Sequence, residues 1–247
     1  MIEIKMLGKV GIKGYTLLEG FPGVGLVGPM AISYIVEKLN MHYIGYVESP
    51  DFPPLIAIHN DMPMPAVRIY ADPDAKIVTV LAEFAVPLDV TYELTEKLYE
   101  FVRANGIAKI ISIGGLPSPS TNAQEEVAFG IASTDDLRKE IQKAGLKPVE
   151  EGVATGISAL MLLKSVPDRF PDMNILVPVD PNVLDPRYAE TAIKALNKIT
   201  KLNIDVKELE KEAKEVESRI TELLKRNREM QDAHKKAIEE AGPPAYA

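Results

Sequence analysis

Apolar and polar positions alternate along this chain with a period that changes several times. "YTLLEG" (Tyr15–Gly20) has the unbroken apolar character of a buried strand and runs into the glycine-rich "FPGVGLVGP". An apolar helix follows over roughly Met30–Leu39, then "HYIGYVE" as a second strand, so the opening reads as a βαβ unit. The habit then changes. "LIAIHN", "AVRIYA" and "KIVTVLAEF" are short runs separated by Asp, Pro and Met-Pro turns, which predicts a hairpin or meander without intervening helices.

Helical periodicity returns after Pro87. "LDVTYELTEKLYEFVRANG" predicts a helix stopped at Asn105-Gly106, and "AKIISIGG" a central strand, apolar on both faces. "VAFGIAS" reads as another strand and "STDDLRKEIQKAG" as a capped helix ending at Gly145. "GISALMLLKSV" is an apolar helix, "MNILVPV" a strand and "DPRYAETAIKALNKITKL" the next helix. The pattern predicts an α/β core with a mostly parallel sheet and an inserted antiparallel stretch.

From Asp205 the composition turns to Lys, Glu and Arg with spaced apolar residues. Val206, Leu209, Ala213, Val216, Ile220, Leu223, Asn227, Met230, His234 and Ala237 step by alternating threes and fours, an a/d heptad register. A helix lying on its own core usually carries a wider apolar stripe, so the narrow seam favours a coiled coil. Asn227 occupies an a position, where a buried amide fixes register and favours paired helices; pairs within a closed assembly suggest a dimer of dimers. Gly242-Pro243-Pro244 ends the helix and leaves Ala245-Tyr246-Ala247 as an extended tail. We expect a core over 1–203, a coiled-coil helix over 204–241 and a tail over 242–247.

Composition narrows the function. The net charge of −8 argues against a broad nucleic-acid footprint. The absence of cysteine removes thiolate nucleophiles, disulfides and cysteine zinc sites. Neither a signal peptide nor a membrane-spanning run is evident, and the chain reads as cytoplasmic. His42, His59 and His234 share no metal-ligand spacing, and no metal or cofactor is expected.

The glycine loop leaves two readings open. Gly23, Gly25 and Gly28 match G-x-G-x-x-G between a strand and a helix, with Glu48 placed for a ribose. That is the nucleotide-binding reading. Pro29 lies in the turn that should cradle a pyrophosphate, and the following strands lack helical crossovers, which favours a tight turn for close packing. No Lys-Ser/Thr follows, so a Walker A loop is absent. Gly114 and Gly115 open a second candidate ligand loop, Gly114–Thr121, at the carboxyl end of a strand. Ser158 in "TGISAL" lacks the elbow pattern of a hydrolase nucleophile. Glu19, Glu48 and Glu83 each end or flank a strand without a spacing that shows whether they converge. No catalytic residue is assigned, and an enzyme is not expected.

Several segments together resemble the proteasome assembly chaperone family in its archaeal and bacterial branch. They are "LLEGFPGVGLVGPMAISYI", "IISIGGLPSP", "EEGVATGISALMLLKSV" and "DPRYAETAIKALNKITKLNIDVKELEKEAKEVE", with the strand-rich middle between them. The resemblance covers residues 10–220. It implies a phosphorylase-like three-layer core, homo-oligomeric assembly and an ATP-independent role as assembly chaperone or activator at the proteasome α-ring. It also gives the tail a meaning, because such proteins commonly end in hydrophobic-Tyr-any residue. Ala245-Tyr246-Ala247 has that form, with the terminal carboxylate paired to a lysine between α-subunits. Ala245 departs from the pattern in being small.

Overall fold

The computed structural model describes residues 1–59, 61–118 and 126–209. β1 (Glu3–Met6) and β2 (Thr16–Gly20) precede a short 3-10 turn (Val24–Leu26) and α1 (Val27–Lys38). β3 (His42–Glu48), β4 (Ala57–His59), β5 (Met62–Met64), β6 (Val67–Asp72) and β7 (Ile77–Ala82) follow without a helix between them. The second half alternates: α2 (Leu88–Ala104), β8 (Lys109–Pro117), β9 (Phe129–Ala132), α3 (Asp135–Lys143), β10 (Lys147–Pro148), α4 (Ile157–Ser165), β11 (Asp172–Val179) and α5 (Pro186–Thr200).

Among the described residues, nine strands make one sheet in the order β1-β3-β6-β7-β2-β8-β11-β9-β10, and β4 and β5 pair apart as their own hairpin. The centre, β7-β2-β8-β11, is parallel. β6, β3 and β1 continue it on one side as antiparallel neighbours, and β9 turns antiparallel to β11 on the other. The sheet is therefore mixed, parallel where it is most deeply buried, as burial on both faces requires. β2 and β3 flank α1 in sequence but are not neighbours, because the β6–β7 hairpin lies between them.

Side chains alternate between two cores along each central strand. Leu18, Ile111, Ile113, Ile175 and Val177 face α1 and α5, while Leu17, Val78, Val80 and Ile110 face α2 and α4. Helices on both faces give a three-layer α/β/α arrangement. Local signals set the helix ends. Thr134 Oγ1 accepts from the Leu137 N–H to start α3, and Asp185 Oδ1 accepts from the Arg187 N–H beside Pro186 to start α5. α2 stops at Asn105, followed by Gly106 at φ +64°.

The layers meet most closely where α1 begins. A Cβ on Gly28 would lie 2.5 Å from the Ile113 carbonyl oxygen, and one on Gly20 would lie 2.6 Å from the Gly28 oxygen. A Cβ on Gly115 would overlap the Val24 carbonyl oxygen. These obstacles are backbone atoms, which cannot swing aside. Gly114 differs, since its added Cβ meets only Leu176 at an ordinary 3.6 Å. Gly115→Ala should cost about 3 kcal/mol or more by overpacking, while Gly114→Ala should cost under about 1 kcal/mol. Urea unfolding midpoints of the two variants check this, and equal losses would show that the turn yields.

Candidate functional site

Gly23, Gly25, Gly28, Gly114 and Gly115, read from the sequence as two separate loops, lie at the carboxyl ends of the neighbouring strands β2 and β8. Three of them, Gly25, Gly28 and Gly115, serve close packing. The 3-10 turn lies against β8 with Val24 over Gly115, and Gly25 adopts φ +69° with Val179 3.1 Å from where its Cβ would be. Leu26 takes a left-handed conformation to turn the chain into α1. Gly23 has no neighbour within 4 Å of an added Cβ, so it carries no comparable steric demand. Of the Gly114–Thr121 loop, residues 114–118 are described. β8 runs through Pro117, and the Ser118 N–H then bonds the Val179 carbonyl.

A polar row crosses the opposite face of the sheet. Glu19 on β2 is in register with Ser112 on β8, which is in register with Asn174 on β11, and all three are buried. The N-terminal turn of α4 covers them. Ser158 Oγ donates to Glu19 at 2.8 and 3.1 Å from its two oxygens, and Asn174 Nδ2 donates to the Ser158 carbonyl at 3.5 Å. Burial pushes the Glu19 carboxyl up, against the Ser112 and Ser158 hydroxyls and the Phe21 N–H.

Deeper along the same face, Asp172 is fully buried and lies beside Ser165 at 2.8 Å. Burial, aided by the negative field of Glu19 and opposed by Ser165, raises its pKa to about 7. The hydroxyl geometry explains why a proton fits. Ser165 Oγ is also 3.0 Å from the Met161 carbonyl, and one hydroxyl hydrogen cannot serve both acceptors. A protonated Asp172 donates to Ser165, which then donates to Met161.

Glu83, the residue after β7, belongs to a separate cluster. Its Oε1 accepts from Arg68 Nη2 at 2.5 Å and lies 2.8 Å from His59 Nε2. Arg68, also buried, donates further to the Tyr70 hydroxyl and the Pro65 carbonyl. Burial pushes Glu83 up, but His59 and Arg68 outweigh it and hold the carboxyl at about 2. This network ties the β4–β5 hairpin to the main sheet. Near it lies a cavity of about 510 Å³, lined by Phe52, Pro53, Leu55, Val67 and Phe84 with Glu48 and Ser49 as polar groups. Glu48 pairs with Lys5 at the sheet edge, so the three strand-end glutamates do not converge. His42 opens β3 on the surface, remote in role from His59. Among the described residues no three His, Asp or Glu side chains gather as a metal site.

The structure places the first two seam residues on the chain's own domain. Leu209 is fully buried in the core under α1 and α5, and Val206 packs against it. The described core thus runs past residue 203, and these two positions are occupied by the domain. Ala213, Val216, Ile220, Leu223, Asn227 and Met230 lie outside the described residues, as do His234 and the tail Ala245, Tyr246 and Ala247.

The two carboxylate clusters predict opposite pH limbs. Asp172 has a folded pKa above its ordinary value of 3.8, so folding takes up a proton. Its contribution is complete below about pH 4 and is lost as pH rises to about 7, at up to about 1.4 kcal/mol per pH unit. Asp172→Asn keeps the donor to Ser165 and should flatten this limb in denaturation measured from pH 4 to 8. A loss above about 1 kcal/mol at pH 8 would contradict it. Glu83 stabilises above its ordinary value of 4.5 and loses this as pH falls to about 2. Glu83→Gln should cost about 3 kcal/mol at neutral pH by leaving Arg68 buried without its anion.

The whole chain has recognisable relatives. An uncharacterized protein of Methanocaldococcus jannaschii is 28% identical over 228 residues, 92% of this chain and 93% of that protein. Proteasome assembly chaperone 2 of Bos taurus is 28% identical over 141 residues, 53% of each. The crystal structure of Pyrococcus furiosus PbaA, an archaeal homolog of proteasome-assembly chaperone, superposes with a TM-score of 0.81 at 27% identity, over 94% of this chain and 100% of that one. The model of the PAC2 family matches residues 17–224. With the glycine turn, β7, β8, β11 and α5 all inside that span, the chain belongs to the PAC2 family.

Proposed function

We propose that this protein is a homo-oligomeric partner of the proteasome core particle, acting without ATP as an assembly chaperone or a gate-opening activator. The observation that carries the reading is the likeness to PbaA over almost the whole of both chains. The partial match to proteasome assembly chaperone 2 points the same way. Ala245-Tyr246-Ala247 supplies the contact: Tyr246 offers an apolar ring with a polar tip, Ala245 enters an apolar recess, and a carboxylate on Ala247 pairs with an α-ring lysine. Pro243 and Pro244 stiffen the approach and lower the ordering cost. Ala245 contributes little area, so affinity comes from several tails of one oligomer engaging together. The seam from Ala213 to Met230, with Asn227 at its a position, pairs the helices, and a dimer of dimers accounts for the closed assembly. The glycine turn supports this reading over nucleotide binding, since Gly25 and Gly28 are used in packing.

The test incubates wild type, Tyr246→Ala and a C-terminally extended form with archaeal core particle. Wild type should form a complex, and both altered forms should lose at least about tenfold in apparent affinity. Increased peptide hydrolysis by mature core particle identifies an activator; binding confined to unassembled α-subunits identifies a chaperone. Identical behaviour of all three forms sinks the tail. Ala245→Leu should tighten binding, and a monomeric sedimentation mass would overturn the oligomer.

A further inference from the structure

The chain does not leave α5 as a loose linker. Lys201 caps the helix at φ 61°, and Asn203, also left-handed at φ 55°, turns the chain back over α1 and α5. There the Asn197 side chain grips Ile204 with both ends of its amide. Nδ2 donates to the Ile204 carbonyl at 2.8 Å, and Oδ1 accepts from the Ile204 N–H at 2.9 Å. A single side chain thus pairs one backbone residue as a neighbouring strand would. The buried Tyr34 hydroxyl donates to the Asp205 carbonyl at 2.6 Å, and Lys38 reaches Glu208 at 2.5 Å. Ile204 and Leu209 are buried on either side of these contacts.

We infer that Asn197 is a positioning residue for proteasome docking, holding the clasp 201–209 that sets where and in which direction the C-terminal chain departs. The inference rests on the tail-docking reading. Several tails meeting fixed pockets at once depend on a defined origin for each. Without the clasp, residues 201–209 become a tether whose ends wander over about 17 Å, and the effective concentration of each further tail falls. Tyr34 acts with Asn197, tying the same segment to α1.

Asn197→Leu fills the site but forms neither bond, and Tyr34→Phe deletes one hydroxyl at nearly constant volume. Hydrogen exchange at the Ile204 and Leu209 amides reports opening of the clasp, and thermal unfolding reports the fold. The expected result is faster exchange at these amides, a retained cooperative transition and about a tenfold loss of core-particle affinity in Asn197→Leu. Binding of an isolated peptide with the sequence of residues 241–247 provides the tail's own affinity, which the clasp cannot alter. Adding Lys38→Cys and Glu208→Cys to Asn197→Leu, joined by a short bifunctional thiol reagent, should restore docking. Because a cross-link also offsets general destabilisation, recovery counts for the clasp when the Asn197→Leu unfolding transition lies well above the assay temperature. If Tyr246→Ala binds as wild type, the docking reading fails and the inference with it. If Tyr246→Ala is impaired while Asn197→Leu, with its clasp open, binds as wild type, the inference alone is wrong.

Discussion

Backbone contact at the start of α1 is the constraint on which the layers depend. Gly20, Gly28 and Gly115 let the end of β2, the first turn of α1 and the end of β8 approach until main-chain atoms touch. The approach sets the depth at which α1 sits, and through it the places of Met30, Tyr34 and Ile35 in the core beneath α5. α1 and α5 then form the platform to which residues 201–209 are fastened. A sequence feature resembling a phosphate cradle thus serves a mechanical purpose. The glycines remove side chains so that dispersion contacts replace solvent, and Pro29 is tolerated because the first helical turn has no inward donor to lose.

The two faces of the sheet are built differently. The face toward α1 and α5 is largely apolar, whereas the face toward α4 buries Glu19, Ser112, Asn174 and Asp172. Buried carboxyls without a cation are tolerable chiefly as neutral groups, and the Asp172–Ser165–Met161 chain accommodates a proton. Glu83 follows the opposite rule, because Arg68 and His59 surround it with donors. One domain therefore holds a carboxyl that prefers its proton and another that rejects it.

Much of the local structure was legible in the residues. The apolar run at β2, the capped start of the "STDDLRKEIQKAG" helix and the stop at Asn105-Gly106 are short-range signals, and each appears where expected. Long-range pairing was harder to read. Nothing near His42–Glu48 reveals that two strands of a later hairpin separate β3 from β2, or that β9 runs against β11. Asp172 drew no notice in the sequence, because its burial depends on the helix laid over it. The heptad register at Val206 and Leu209 is real as a pattern, yet both satisfy it by packing on their own domain. Asn197 carried no signal beyond being a polar residue near a helix end, since its partner lies across a turn.

The strand order also bears on how the chain acquires its shape. β2 comes early, yet its two neighbours are β7 and β8, so the centre of the sheet cannot close until residue 117 is available. β8 must in turn await β11, ending at residue 179, before its other edge is covered. During synthesis the apolar residues of β2 and α1 therefore wait through most of the domain for their partners. Folding should be slow and late, governed by closing long loops, with the nascent N-terminal segment exposed to aggregation in the interval.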